Sequence, residues 1–338
     1  MKNGLSVLAP ILCLIGAPAA HAEDFYAGKQ IRVIVGGSSG GEYDTHARTL
    51  APFIAKHIPG NPTIILSNMP AGTGIAAANY LANVAKRDGT ELGSLVSATA
   101  LNPILGDSAA KFTLSEFNWI GTPGNYGNNA HLIITRASLP WKTMAELRNL
   151  KTEAQFGNKG SPFLRITKEI LGGKMNIIDS YRGQEVNLAL ERGEIDGMSS
   201  AYNNLQRQNP RWFSDKFINV LVQFGHDYRL PEFPDTPTAR ELATNADDRA
   251  LIALTEVSLT IGYPIVAPPG VPAERVKILR DAFEAAVKSD EYRKMNSMAK
   301  LDYSPQGGAE LAKEVAKAEK TPQHIIERYK LMASSVGQ

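Results

Sequence analysis

One arrangement recurs along this chain and limits what it can fold into: a short apolar run, a turn rich in Gly, Ser or Thr, then an amphipathic helix. Ile31-Arg32-Val33-Ile34-Val35 leads into Gly36-Gly37-Ser38-Ser39-Gly40-Gly41. Ile64-Ile65-Leu66 leads into Asn68-Met69-Pro70-Ala71-Gly72-Thr73-Gly74, and Gln155-Phe156 into Gly157-Asn158-Lys159-Gly160-Ser161. Strands that alternate with helices predict an α/β protein with mostly parallel sheets. At each turn the first helical N–H groups lack partners and the helix dipole favours an anion. Glycine there lets a ligand reach the backbone. The pattern suits a protein that holds something small and negatively charged.

The chain opens like an exported protein. Lys2 precedes an apolar stretch from Leu5 to Ala19, and Ala20-His21-Ala22 is an A-x-A cleavage signal. The stretch is too short to span a membrane, which leaves residues 1–22 as a signal peptide. The single cysteine, Cys13, lies inside it, after Leu12 where a lipoprotein signal has a small residue. From Glu23 onward neither a disulfide nor thiol chemistry is available. The formal charge is +2 and falls to +1 without Lys2, with no long run of one sign. That balance argues against nucleic acid or an anionic membrane as the main partner. The remaining length exceeds one ordinary core, so two domains are expected.

The first helix is predicted from Tyr43 to Ile58, with Ala47, Leu50, Ala51, Ile54 and Ile58 at helical spacing and Asp44 as its cap. A second helix covers Ile75 to Val84, and a later one Ser161 to Leu171. Ile218 to Phe224 is nearly all apolar, as for a strand buried on both faces. Two long helices, Pro272–Ala299 and Gly307–Met332, close the chain. The Gly- and Asn-rich stretch from Gly121 to Asn129 reads as a crossing between domains, with Ile261 to Ala267 as the return. Two crossings define a bilobed molecule with a cleft, where small ligands are commonly held.

Gly36-Gly37-Ser38-Ser39-Gly40 matches G-x-S-x-G, which would make Ser38 the nucleophile of a secreted serine hydrolase. Against that reading, the motif follows the first strand of the exported chain, leaving no upstream turn to form an oxyanion hole. A phosphate-binding P-loop is excluded, because Glu42 stands where Lys is required. Asn158 and Ser161 are suited to capping the third helix start, and Lys159 to adding a positive charge. Arg182, in Ser180-Tyr181-Arg182-Gly183, is suited to a two-pronged carboxylate contact. Tyr126, Asn128, Tyr202, Asn203 and Asn204 are placed to reach the cleft from the second lobe. The histidines His46, His57, His131, His226 and His324 are scattered, so no metal site is expected. No dinucleotide fingerprint or other cofactor motif is evident.

The ordered motifs resemble a family. Ile31–Val35, the following Gly-Ser loop to Asp44, and Ala47-Arg48 are similar to an IRxIV strand, a P-x-x-P-G-G-x-x-D loop and an A-R helix. Asn68–Gly74 resembles N-R-P-G-A-G-G, and Asp88-Gly89-Thr90-Glu91-Leu92-Gly93 resembles D-G-Y-T-L-x-x-G. Asn102-Pro103, Phe156–Ser161, Tyr181-Arg182-Gly183 and Gly193-Glu194-Ile195-Asp196 match further markers in order. So do Pro234-Asp235-Thr236-Pro237-Thr238 and Ala267-Pro268-Pro269-Gly270-Val271-Pro272. Along essentially the whole exported chain, the sequence resembles the periplasmic solute-binding proteins of tripartite tricarboxylate transporters, the Bug receptor family.

The resemblance implies a two-lobed, type II (Venus-flytrap) periplasmic binding protein of α/β class, with residues 23–122 and 262–338 in lobe 1 and 123–261 in lobe 2. It implies no catalysis and no cofactor. A monomer would capture a small organic carboxylate, a dicarboxylate or an aromatic acid, and deliver it to permease subunits in the membrane. A periplasmic sensor for a signalling partner is the alternative. Carried over by position, the ligand-binding residues are Ser39, Gly40, Tyr43, Ala71, Gly72, Thr73, Gly160, Ser161 and Tyr181, to which the second-lobe reading adds Tyr202 and Asn203. Two departures bear on the pocket: Gly37, Ser38 and Ser39 replace the usual prolines of the first loop, and Met69 stands where Arg is usual.

Overall fold

The computed structural model describes residues 25–125, 129–158, 161–181 and 183–334. The signal-peptide reading of residues 1–22 falls outside them, as do Tyr126, Asn128, Lys159, Gly160 and Arg182.

The first apolar run forms β1 (Gln30–Val35), followed by α1 (Glu42–His57), β2 (Thr63–Asn68), α2 (Ile75–Asn83), β3 (Glu91–Ser94), α3 (Leu101–Ile104) and β4 (Asn118–Thr122). The chain then builds β5 (His131–Arg136), α4 (Met144–Arg148), β6 (Ala154–Gly157), α5 (Phe163–Glu169), β7 (Met175–Ile178), α6 (Glu185–Arg192) and β8 (Gly197–Ala201). Next come α7 (Tyr202–Gln208), α8 (Arg211–Ser214), β9 (Ile218–Phe224), α9 (Ala239–Leu242) and α10 (Ala246–Ile261). It returns through β10 (Ile265–Ala267), α11 (Ala273–Lys288), α12 (Asp290–Met298), β11 (Gln306–Gly307), α13 (Gly308–Ala318) and α14 (Gln323–Ser334).

Two mixed sheets result, in the orders β11-β4-β10-β3-β1-β2 and β7-β6-β8-β5-β9. In the first, β1 is parallel to β2 and β3, while β10 runs antiparallel between β3 and β4. Alternation along β1 sends Ile31, Val33 and Val35 into one cluster with Leu50, Ile54, Leu279 and Phe283 of α1 and α11. Ile34 goes to the opposite cluster with Ala78 and Leu81 of α2 and Leu311 and Val315 of α13. The second sheet is covered in the same way: Ile133, Phe156 and Val222 meet α5 and α10, while Leu132, Ile134 and Met198 meet α6 and α7. The molecule is therefore α/β with two sheets, each sandwiched between helices. Among the described residues no helix is long and apolar enough to cross a membrane.

Three expectations are corrected. The first of the two closing helices breaks at Ser289, whose extended backbone and side chain open α12 by accepting from the Tyr292 N–H. The second breaks before Gln323, because the proline in Thr321-Pro322 cannot donate to the preceding turn. The α14 segment also departs from the assignment of residues 262–338 to the first lobe. Ile325, Ile326, Tyr329 and Met332 are buried in the cluster that covers the second sheet, with Phe163 and Leu254.

Strand register fixes where a site can lie. The carboxyl ends of β1, β2, β3 and β4 share one edge, since Val35 pairs with Asn68 and Ser94, and Ile265 pairs with Ser94 and Gly121. The chain leaves the first sheet from that edge after Thr122 and re-enters it at Ile265. In the second sheet His131 pairs with Ala201 and Phe224, which puts the entry of β5 beside the carboxyl ends of β8 and β9. Open α/β sheets hold ligands outside the carboxyl ends of their strands. Here both such edges meet the crossings.

Beside the crossings, Glu256 of α10 is fully buried and bonded to Arg240 of α9 at 2.6 Å and to the Gly225 N–H at 2.7 Å. Removing one partner of a buried pair strands a charge, so Arg240→Ala should cost about 3–5 kcal/mol in urea denaturation. Adding Glu256→Gln to that variant should recover a large part of the loss, because the stranded charge is gone.

Candidate functional site

The first loop is held by a carboxylate. Asp44 is 2 % exposed. It accepts from the Gly40 N–H at 2.9 Å, from Arg48 Nε at 2.7 Å and from Asn68 Nδ2 at 2.9 Å. Asn68 also donates to the Gly37 carbonyl at 2.9 Å, so the carboxylate and the amide together clamp the turn after β1 to the end of β2. Asp44 is thus not the cap of α1, as expected from the sequence. Gly41 holds that position, and Asp44 folds back from the first turn. Burial opposes ionisation of Asp44, but the bonds from Arg48, Gly40 and Asn68 outweigh it and hold the carboxyl below the usual range.

The consequence for an anion is direct. The Gly40 N–H is taken by Asp44 and the Gly41 N–H by the Ser38 carbonyl. Glu42 and Asp44 place two acids in the first turn of α1. That helix start is already complemented by negative charge. The second loop is the opposite case. No acid stands in the turn over Ala71–Gly74 or in the first turn of α2. Ala71, Gly72 and Thr73 are exposed. Gly72, Thr73 and Gly74 all have left-handed backbone, with φ of 61°, 54° and 95°. For a β-branched residue such as Thr73 that conformation is strained, and strain of this kind concentrates at functional sites. Gly74 is required here: a Cβ would lie 2.8 Å from Val96 Cγ2, where the segments after β1, β2 and β3 pack together.

Of the remaining first-lobe candidates, Ser39 is exposed, whereas the Tyr43 hydroxyl is committed to Ser97, accepting from its N–H at 3.0 Å and sharing a bond with its Oγ at 2.8 Å. Tyr43 braces the loop after β3. Ser38 is exposed, and among the described residues its hydroxyl has no histidine partner.

In the second lobe, Ser161 Oγ lies 3.3 Å from His131 Nε2, and the Ser161 N–H donates to Asn158 Oδ1 at 3.0 Å. Asn158 is anchored through Asp179, which also receives Arg165 at 2.6 Å. Tyr181 is partly buried beside Gly157. Tyr202 does not reach the cleft: its ring is edge-on to Phe213 and Phe233 in the core, and its hydroxyl accepts from Gln206. Asn203, next along α7, does face the first lobe. It shares a cavity of about 270 Å³ with Gly40, His46, Arg207, Tyr263 and Asp302.

Sequence reasoning missed His46, Tyr263 and Asp302. His46 was findable, since it lies four residues before Leu50 and so on the buried stripe of α1. Its ring stacks on Tyr263 with centroids 3.8 Å apart, and burial lowers its pKa to about 4. Asp302 carries no local signal, because it arrives from far along the chain. Among the described residues no cluster of His, Cys, Asp and Glu could hold a metal ion.

No family model matches the chain. It is 28% identical over 347 residues, covering 97% of this chain and 95% of the other, to the UPF0065 protein in the gbd 5'region of Cupriavidus necator. Among solved structures, a TctC solute binding protein from Polaromonas superposes with a TM-score of 0.69, covering 92% of this chain and 100% of the other at 20% identity. The chain has the fold of the TctC solute-binding proteins. An R. palustris protein crystallised with adipate superposes at 0.56, covering 92% of this chain and 98% of the other at 18% identity. The resemblance to the tripartite tricarboxylate (Bug) solute-binding proteins drawn from the ordered motifs holds across that fold.

Asp44→Asn should cost about 1.5–3 kcal/mol at neutral pH, the range for hydrogen bonds to a charged group. Because the folded carboxyl titrates below the unfolded one, its contribution is present above the unfolded pKa of about 3.9 and lost as pH falls through the folded value. Denaturation of the parent and variant should therefore converge towards low pH.

Proposed function

We propose that this protein is a periplasmic solute-binding protein of the tripartite tricarboxylate type, which captures a small organic carboxylate and delivers it to a membrane permease. The observation that carries the reading is the second loop: an exposed, acid-free helix start with three successive left-handed residues, at the sheet edge where the chain crosses to the second lobe. Ala71, Gly72 and Thr73 would hold one carboxylate, with Ser39 beside them. Ser161 and Tyr181 would meet the ligand from the second lobe, joined by Gly160 beyond the described residues. The crossings from Thr122 to His131 and from Ile261 to Ile265 would form the hinge between lobes built on the two sheets. Adipate in the R. palustris structure supports a dicarboxylate ahead of an aromatic acid. The protein would act as a monomer, in the periplasm.

The test is thermal and chemical denaturation of protein freed of copurified ligand, against C4–C6 dicarboxylates, citrate, acidic amino acids and aromatic acids. A true ligand at 100–1,000 times its Kd should add about 2.7–4.1 kcal/mol. A folded protein that none of these stabilises would overturn the assignment.

A further inference from the structure

The helix layer outside the two sheets is not fully packed. Between α10 and α13 lies an apolar cavity of about 210 Å³, walled by Ala253, Leu254, Val257 and Ile261 of α10 and by Val315 and Ala318 of α13. Protein interiors ordinarily leave few voids larger than a water molecule. This one sits at a seam. Leu254 belongs to the cluster that covers the second sheet, whereas Ile261 and Val315 belong to one that covers the first. The two helices thus answer to different cores, and the short side chains of Ala253 and Ala318 do not fill what is left between them. The cavity lies beside the sheets and not at their strand ends: none of Ser39, Ala71, Gly72, Thr73, Ser161 and Tyr181 lines it. Its exposed lining residues, Lys317, Lys320 and Pro322 among them, mark a mouth at the turn from α13 to α14. That mouth is charged. The two lysines stand there with Glu314 and with Arg240, whose charge is matched by Glu256 at 2.6 Å.

We propose that the cavity between α10 and α13 is a ligand site separate from the cleft, taking a monocarboxylate with an aliphatic chain of about six to eight carbons. An aliphatic-walled cavity of about 150 Å³ takes benzene, so this one admits six carbons and a little more. The tail lies along the walls and the carboxylate stays at the mouth, between Lys317 and Lys320 and in contact with water. A dicarboxylate, the class proposed for the cleft, would have to bury its second charge among Leu254, Ile261 and Val315, which is costly without a partner. The two sites therefore select different acids, and this one stands whatever the cleft holds. Its occupant touches the covers of both sheets at once.

Calorimetric titration with butyrate, hexanoate, octanoate and 1-octanol tests it. Each added methylene should tighten binding about fourfold. Octanoate should bind about twofold to fivefold more tightly than 1-octanol, as for an exposed ion pair. Ala253→Leu and Ala318→Leu, made separately, fill the cavity from opposite walls. Each displaces two or so methylenes of the ligand, so octanoate should bind about tenfold or more weakly. Lys317→Gln combined with Lys320→Gln should lower octanoate to the 1-octanol value and leave 1-octanol unchanged. Failure of octanoate to bind, or affinity that ignores chain length, would overturn the site, and both are read on the parent protein. So would leucine variants that melt cooperatively yet bind octanoate like the parent, which would put the acid elsewhere, the cleft included. Octanoate and 1-octanol binding equally to the parent would overturn the carboxylate as its head group.

Discussion

The first sheet cannot be completed until the chain has made the second and come back. β4 pairs only with β10 and β11 among the described strands, and β10 is also the neighbour of β3 on that side. Until Ile265 returns, β4 has no place beside β3. Closing so long a loop carries an entropic cost that grows only slowly with length, but it makes the first lobe dependent on non-local contacts. It also fixes the cleft. The return brings Gly262 against the outgoing crossing so closely that a Cβ would lie 2.2 Å from the Gly124 carbonyl. The two crossings touch backbone to backbone, and the strand ends that open into the cleft are ordered around them.

Within that frame the two glycine-rich loops of the first lobe do different work, although their sequences look alike. The first is tied down by Asp44 and Asn68, and its helix start is complemented from within. The second is left open, exposed and strained. Electrostatically the cleft is therefore lopsided: one helix start attracts an anion and the other repels it.

What the sequence made legible follows from locality. Strand, turn and helix lie within a few residues of one another, so their alternation, the crossings and the bilobed plan could be read directly. The break at Ser289 was also local, since Ser-Asp-Glu is a helix-start pattern, but the unbroken apolar stripe of Val276, Leu279, Phe283, Ala286 and Val287 concealed it. Tyr202 was misjudged because an aromatic residue after a strand fits core and cleft equally well; only Phe213 and Phe233 decide between them. The meeting of His46, Asn203 and Asp302 lay beyond reach, because nothing local announces contacts made across such separations. The C-terminal helix is a similar case: its apolar spacing shows that it packs, not on which sheet.

That helix changes what kind of hinge this molecule has. Two adjacent strands joining two bodies permit both bending and twisting. Here α10 lies against both lobes, with Leu254 in one cluster and Ile261 in the other, and the chain crosses once more between α13 and α14. A tie set apart from the first two resists twisting of one sheet against the other more than it resists bending about the line of the two crossings.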